Sequence, residues 1–214
     1  MGYRQQKKKK TLFTHSRSPI ADRPSPHSRI LPRAYFRRPT LQVARSLLGK
    51  YLVRKSGRKV LAGRIIEVEA YIGMEDRACH ASKGRTTRTD VMFGPAGISY
   101  VYLIYGMHHC FNIVTERVGF PSAVLVRAVE DVGTRALIDG PGRVCRFLAI
   151  QRRLNRLDLT EGKELWVEDR GERTASSTIT TGRRIGVDYA GVWATKAWRF
   201  RLAPSQKLKV KSKR

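Results

Sequence analysis

Residues 98–115 read ISYVYLIYGMHHCFNIVT, and this stretch decides the fold. Ile98–Ile104 and Cys110–Thr115 are both rich in β-branched and aromatic side chains, the composition of strands. Tyr105-Gly106-Met107 stands between them, and glycine tolerates the positive φ of a tight reversal. The two runs predict a β-hairpin. A lone hairpin is marginal in water, so it needs neighbours. Upstream, Tyr51–Val53 and Val60–Tyr71 read as strands joined by a Ser56-Gly57 turn, and downstream Ala123–Val129 reads as another. Gly94-Pro95-Ala96-Gly97 is turn chemistry leading into the hairpin. Helices are few. Thr40 is a fair N-cap for a helix with Leu41, Ala44, Leu47 and Leu48 on one apolar stripe, flanked by Val43 and Arg45 and ended by Gly49. Gly140-Pro141-Gly142 introduces a second helix around Val144–Ile150. The remainder, to about Leu202, alternates short strands and turns, and no internal repeat is visible.

A chain of 214 residues, 41% of them hydrophobic, is long enough to bury a core as one domain with tails. Lys and Arg number 43 against 17 acidic residues, a net +26. Residues 1–38 hold +10 of this and residues 205–214 hold +5, which leaves +11 in the body. A cationic body points to phosphate-rich partners. Residues 1–31, with the Lys7–Lys10 block and Pro19, Pro24 and Pro26, are expected to be a disordered basic arm. The folded domain is then 32–204, followed by a basic tail, 205–214. That charge serves either solubility or non-specific tethering to DNA. No apolar run approaches the roughly 20 residues of a spanning helix, so no membrane partner is expected. The basic N-terminus has no apolar segment to serve as a secretory signal. Cys79, Cys110 and Cys145 are sparse and lack C-x-x-C spacing, as expected of reduced thiols in an intracellular protein.

In the strand Arg64–Tyr71, Ile66, Val68 and Ala70 fall on one face, and Glu67, Glu69 and Tyr71 fall on the other. The first face reads as core. The second sets two carboxylates and a phenol side by side, costly if buried and unnecessary if exposed. It is either a solvated strand face or a general base beside an aromatic platform. Tyr100 and Tyr102 share a hairpin face, where ordinary β packing accounts for them. Tyr105, next to the reversal, is either folded back on the core or displayed as a wedge for insertion between base pairs. The loop Gly73–Asp90 is long enough to be a candidate functional loop. Its basic residues would clamp phosphates, and His80 would stack on a ligand or lie plainly on the surface. Cys79, His80, His108, His109 and Cys110 do not match structural zinc spacing, and no metal site is expected. The helix opened by Gly140 offers free backbone N–H groups to a phosphate, with Arg143 and Arg146 adding charge, although a simple Gly-Pro turn accounts for it equally. No Rossmann or Walker pattern occurs.

Six stretches, in this order, resemble the alkyladenine (3-methyladenine) DNA glycosylase family. They are QVARSLLGKYLVR (42–54), GRIIEVEAYIGMEDRACHAS (63–82), MFGPAGISYVYLIYGMHHCFNIV (92–114), AVLVRAVE (123–130), GPGRVCRFLAI (140–150) and RIGVDYAGVWATKAWRFRL (184–202). The resemblance implies an α+β fold, a single mixed domain around a curved antiparallel β-sheet with flanking helices and a protruding β-hairpin. It implies a monofunctional glycosylase that flips alkylated or deaminated purines from duplex DNA and hydrolyses the N-glycosidic bond without a cofactor. Glu69 would hold and deprotonate the water. Tyr71, His80 and Tyr102 would wall the flipped base, and Asn112 would discourage normal guanine through its exocyclic amine. Tyr105 would fill the gap in the duplex, and Arg127 would help position the water and sugar phosphate. From the charge of the helix opened by Gly140, and not from the resemblance, Arg143 and Arg146 are expected to meet the DNA backbone. A monomer, DNA-associated within the cell, is expected.

No lysine stands in the EAY strand or the hairpin to act as a Schiff-base nucleophile. The chain departs from the family pattern in a short segment between Arg127 and Gly140, in His108-His109 where aromatic or apolar residues are common, and in Arg143 where lysine is common. Two other readings compete. A non-catalytic nucleic-acid-binding module explains the charge but gives the Glu67/Glu69/Tyr71 face no purpose. A metal-dependent hydrolase would use the Cys and His residues.

Overall fold

The computed structural model describes residues 28–202 of the chain. The expected arm up to residue 27 and the tail from residue 203 lie outside the described residues. In chain order the elements are β1 (Arg29–Ile30), α1 (Arg33–Phe36), α2 (Thr40–Leu47), β2 (Tyr51–Ser56) and β3 (Lys59–Ile72). The hairpin strands β4 (Ser99–Ile104) and β5 (His108–Val114) follow, then β6 (Ser122–Asp131), β7 (Leu137–Asp139), α3 (Pro141–Phe147), β8 (Leu165–Asp169), β9 (Ile179–Gly182) and β10 (Arg199–Leu202). Residues 29 and 30, read from sequence as the end of the arm, pair with Asp169 and Glu168 of β8.

All ten strands join one antiparallel sheet, with the main path β1-β8-β2-β3-β6-β5-β4. The 14-residue β3 is its spine. At about 3.3 Å per residue it outruns any single neighbour. β6 follows one edge from Gly63 to Ile72. On the other edge β2 pairs with Lys59–Arg64, and β10 then takes over at Glu67–Glu69. The sheet therefore divides into two arms along β3 and curls. The single mixed α+β domain, with its curved sheet and projecting hairpin, is the one the resemblance implied.

α2 lies on β3 and β6, and α3 lies on β5 and β6. Val43, Ala44, Leu47, Val144 and Leu148 join Val68, Phe111, Val126 and Phe200 in the main core. The helix frame differs from the expected one. Pro39 is the N-cap, and Thr40 is already helical and buried. Pro39 has no side-chain acceptor, so Glu116 takes over: its Oε1 accepts the Thr40 amide at 2.7 Å and the Thr40 hydroxyl at 3.0 Å. The buried stripe is Thr40, Val43, Ala44 and Leu47, while Leu41 is only partly covered.

The pairing of β3 with β6 slips by one at Ile66 and returns at Val68, with Ile65 opposite Val129, Glu67 opposite Ala128 and Val68 opposite Val126. Ile66 is thus a bulge residue, half-buried, and Ile65 takes the core position assigned to it from the simple alternation.

Candidate active site

The second face of β3 is not solvated. Glu67 is 1% exposed and Glu69 is 0% exposed, because β6, β10 and the segment 183–193 enclose them. Each oxygen of Glu69 has a donor. Oε2 accepts the Tyr71 hydroxyl at 2.8 Å, and Oε1 accepts the Ile185 amide at 2.8 Å, with Arg127 Nε at 3.4 Å. Burial raises the Glu69 pKa above the usual carboxylate range, against the pull of Arg127, the Ile185 amide and Tyr71. Burial and the neighbouring carboxylate hold the Tyr71 phenol well above its ordinary value, so Tyr71 stays a donor. Arg127 sits at the register slip and pairs with both carboxylates.

Glu69 lies behind the wall of a cleft of about 130 Å³ rather than in its lining: its three donors Tyr71, Ile185 and Arg127 line it, together with His80, Tyr102 and Asn112 among others. The structure thus brings together residues from β3, β4, β5, β6 and the 73–90 loop. Tyr100 is fully packed, and its hydroxyl meets His80 Nδ1 at 2.9 Å. On the other side of the ring, Arg88 Nη2 lies 3.3 Å from His80 Nε2. A guanidinium only donates, so Nε2 accepts, and the imidazole proton resides on Nδ1. Burial first, and then Arg88 and Lys83, lower the His80 pKa to about 4. His80 is therefore a neutral ring in the lining of the cleft rather than a plain surface residue. Its ring stands edge-on to Tyr102, with centroids 4.6 Å apart. Asn112 is buried at the β4–β5 ladder and donates to the Tyr100 carbonyl at 3.2 Å.

Tyr105 is displayed rather than folded back, at 84% exposure. It takes φ +50° and Gly106 takes +68°, and the Met107 amide returns to the Ile104 carbonyl at 3.1 Å. Positive φ at both central residues is the mark of a type I′ turn, the hairpin reversal that twists with its strands. The hairpin is footed on α3. A Cβ on Gly142 would come within 3.1 Å of the His108 side chain, so glycine permits this close approach. Pro141 also lines the cleft, and Arg143 and Arg146 are exposed on the same helix.

No role is expected from sequence for the segment 183–193, although Ile185, Gly186, Val187 and Tyr189 line the cleft. Arg184 anchors the segment. It is fully buried against Asp76, with contacts of 2.5 and 2.8 Å, and also donates to the carbonyls of Ala70 and Trp193. Its guanidinium lies over the rings of Tyr71 and Trp198 at 4.8 and 5.1 Å. The next residue is Ile185, so this pair fixes the amide that holds Glu69. The signal available in the sequence was Gly186 and Gly191 bracketing an aromatic residue, Tyr189; in the fold both glycines take positive φ and Tyr189 is exposed. Among the described residues, no three His, Cys, Asp or Glu side chains are grouped to hold a metal ion. Cys79 and Cys110 are buried, and their thiols are pushed up, that of Cys79 to about 12. No helix among the described residues is long and apolar enough to cross a membrane.

The methylpurine-DNA glycosylase family model matches residues 34–206. A Myxococcus xanthus protein provisionally named 3-methyladenine DNA glycosylase is 53% identical over 181 residues, 82% of this chain and 91% of its own length. Similarly named proteins from Methanocella arvoryzae and Legionella pneumophila are each 49% identical, covering 80% of this chain and 91% and 93% of their own lengths. A buried carboxylate at an aromatic cleft, in a chain with these relatives, defines a monofunctional DNA glycosylase. The chain belongs to the methylpurine-DNA glycosylase family.

Proposed function

We propose that this protein extrudes alkylated or deaminated purines from duplex DNA and hydrolyses their N-glycosidic bond with a water activated by Glu69. The observation that carries this reading is the environment of Glu69: a fully buried carboxylate held by three donors, Tyr71, Ile185 and Arg127, each of which lines the aromatic-walled cleft. Glu69 takes a proton from the water as its oxygen bonds to C1′. The C1′–N bond breaks, and its electron pair leaves with the purine. The positive charge that develops on the sugar is stabilised by the same carboxylate.

A cleft of about 130 Å³ is well below the roughly 300 Å³ of a drug-sized pocket and suits one extruded base. Tyr71, His80 and Tyr102 offer it stacking surfaces worth on the order of 1–3 kcal/mol, against a flipping cost of a few kcal/mol. A neutral His80 accepts a cationic alkylpurine without charge repulsion. Asn112 disfavours normal guanine, Tyr105 fills the vacated stack, Arg127 helps position the water and sugar phosphate, and Arg143 and Arg146 meet the DNA backbone. The water route calls for no cofactor.

The test uses duplex oligonucleotides carrying 3-methyladenine, 7-methylguanine, hypoxanthine or ethenoadenine, incubated with and without EDTA and then treated with hot alkali. Alkali-dependent scission that survives EDTA is expected. No scission for any lesion leaves a DNA-binding role only, and loss of scission with EDTA points to a metal.

A further inference from the structure

Glu67, the other buried carboxylate of β3, has no part in the steps above. Three guanidinium groups converge on it. Arg127 Nε and Arg199 Nη1 lie 3.3 and 3.2 Å from Oε1, and Arg201 Nη1 lies 3.5 Å from Oε2. The arginines come from β6 and β10, the two strands that flank β3 here. Arg127 also pairs with Glu69 at 3.4 Å and Arg201 with Asp139 at 3.7 Å, so three guanidinium groups meet three carboxylates. What Glu67 contributes is legible at Arg127. Its hydrogen bond to Glu67 is made by Nε, and its closest approach to Glu69 is also through Nε. Neither Nη hydrogen-bonds to a protein group among the described residues, and Arg127 lines the cleft. A planar guanidinium gripped at Nε has the direction of its Nη pair set. Without Glu67, the same fork would turn end-on to Glu69 and form the two-point pair that Arg and carboxylate favour. That pair would occupy both the base and the cation.

We propose that Glu67 is a positioning residue: clamped by Arg199 and Arg201, it holds Arg127 by Nε so that the Nη pair faces the substrate and Glu69 stays free for water. The inference rests on the glycosylase reading above. Glu69 is faced by Glu67 and Tyr71 on β3, Arg127 on β6, Cys110 on β5 and Arg199 on β10, with Arg184 over Tyr71. Removing the charge of Glu67 takes a repulsion from Glu69, whereas removing Arg199 and Arg201 takes away attraction.

Single-turnover excision from a hypoxanthine duplex, followed across pH, tests this together with the affinity for the same duplex. Glu67→Gln is expected to slow excision by roughly 10- to 100-fold, as for a misaligned catalytic group. Its acid limb should move to lower pH, with the duplex affinity little changed. The Arg199→Gln/Arg201→Gln pair, at the more exposed edge of the cluster, should also slow excision but move the acid limb to higher pH. If Glu67→Gln does not fold, the arginine pair carries the test. Wild-type rates and unmoved acid limbs in the variants that fold would overturn the proposal. A wild-type protein inactive on every lesion would instead defeat the glycosylase reading before any variant is compared.

Discussion

At Glu69 burial raises the proton affinity, while Tyr71, the Ile185 amide and Arg127 hold the ionised form in place. A carboxylate so placed is a stronger base than a solvated one and still has lone pairs for a water. Glu69→Gln keeps the shape and removes the base. Excision should fall by at least about 10²-fold while the lesion duplex still binds, as gel shift and single-turnover kinetics would show. Unchanged excision would remove Glu69 as the base. His80 makes a pH prediction. Its pKa is about 4 in the folded chain, against an ordinary 6.5. Between these values the unfolded chain binds the proton and the folded chain does not, so stability is lost as pH falls through that window. The loss is at most about 3 kcal/mol. Urea unfolding at pH 7 and pH 4.5 should show a smaller difference for His80→Gln than for the wild type. Glu69, with its pKa raised, acts in the opposite direction at acid pH, so the comparison is cleanest in a Glu69→Gln background.

The β4–β5 hairpin sets local stability against display. Glycine takes positive φ freely at position 106, but Tyr105 at φ +50° bears the left-handed penalty of roughly 1–2 kcal/mol that asparagine largely escapes. Tyr105→Asn should therefore leave Tm unchanged or raise it. Lesion-duplex affinity and the fluorescence of 2-aminopurine beside the lesion should both report impaired flipping. A variant that is stabilised and still flips normally would make Tyr105 a bystander. The segment 183–193 works in the other sense. Its tip is exposed at Tyr189 and Val192, yet its root is pinned by Arg184 and Asp76, whose side chains are both 0% exposed. A buried pair broken on one side is strongly destabilising, so the root is rigid where it presents the Ile185 amide to Glu69.

Across the whole molecule, charge is carried by the body as well as the ends, with +11 of the +26 between residues 39 and 204. Phosphate contacts release counterions, so the binding constant should fall steeply with salt, by about 0.9 logarithmic units per contact per decade. Removing residues 1–27, a net +6, should flatten that slope in anisotropy titrations between about 50 and 200 mM salt without abolishing excision. An unaltered slope would mean that those residues touch no phosphate.

Local rules carried the sequence reading a long way. The alternation in Arg64–Tyr71 placed Glu67, Glu69 and Tyr71 on one face, and Tyr105-Gly106 marked the reversal, because both follow from backbone geometry within a few residues. Motif order then implied the cleft residues Tyr71, His80, Tyr102, Asn112 and Arg127, which do line one cavity. Alternation says which side chains share a face but not what covers it. The burial of Glu67 and Glu69 depends on β10 and on a segment 116 positions from Glu69. The Arg184–Asp76 anchor spans 108 positions, and the cap on Thr40 spans 76. Such partners meet only when the sheet curls around β3. The sequence by itself determined the central strands, the turn and the chemistry offered to the cleft, but not the short edge strands β1 and β7. The tertiary structure decided the dielectric around Glu69 and the grip on Arg127, because desolvation and ion pairing depend on neighbours remote in the chain.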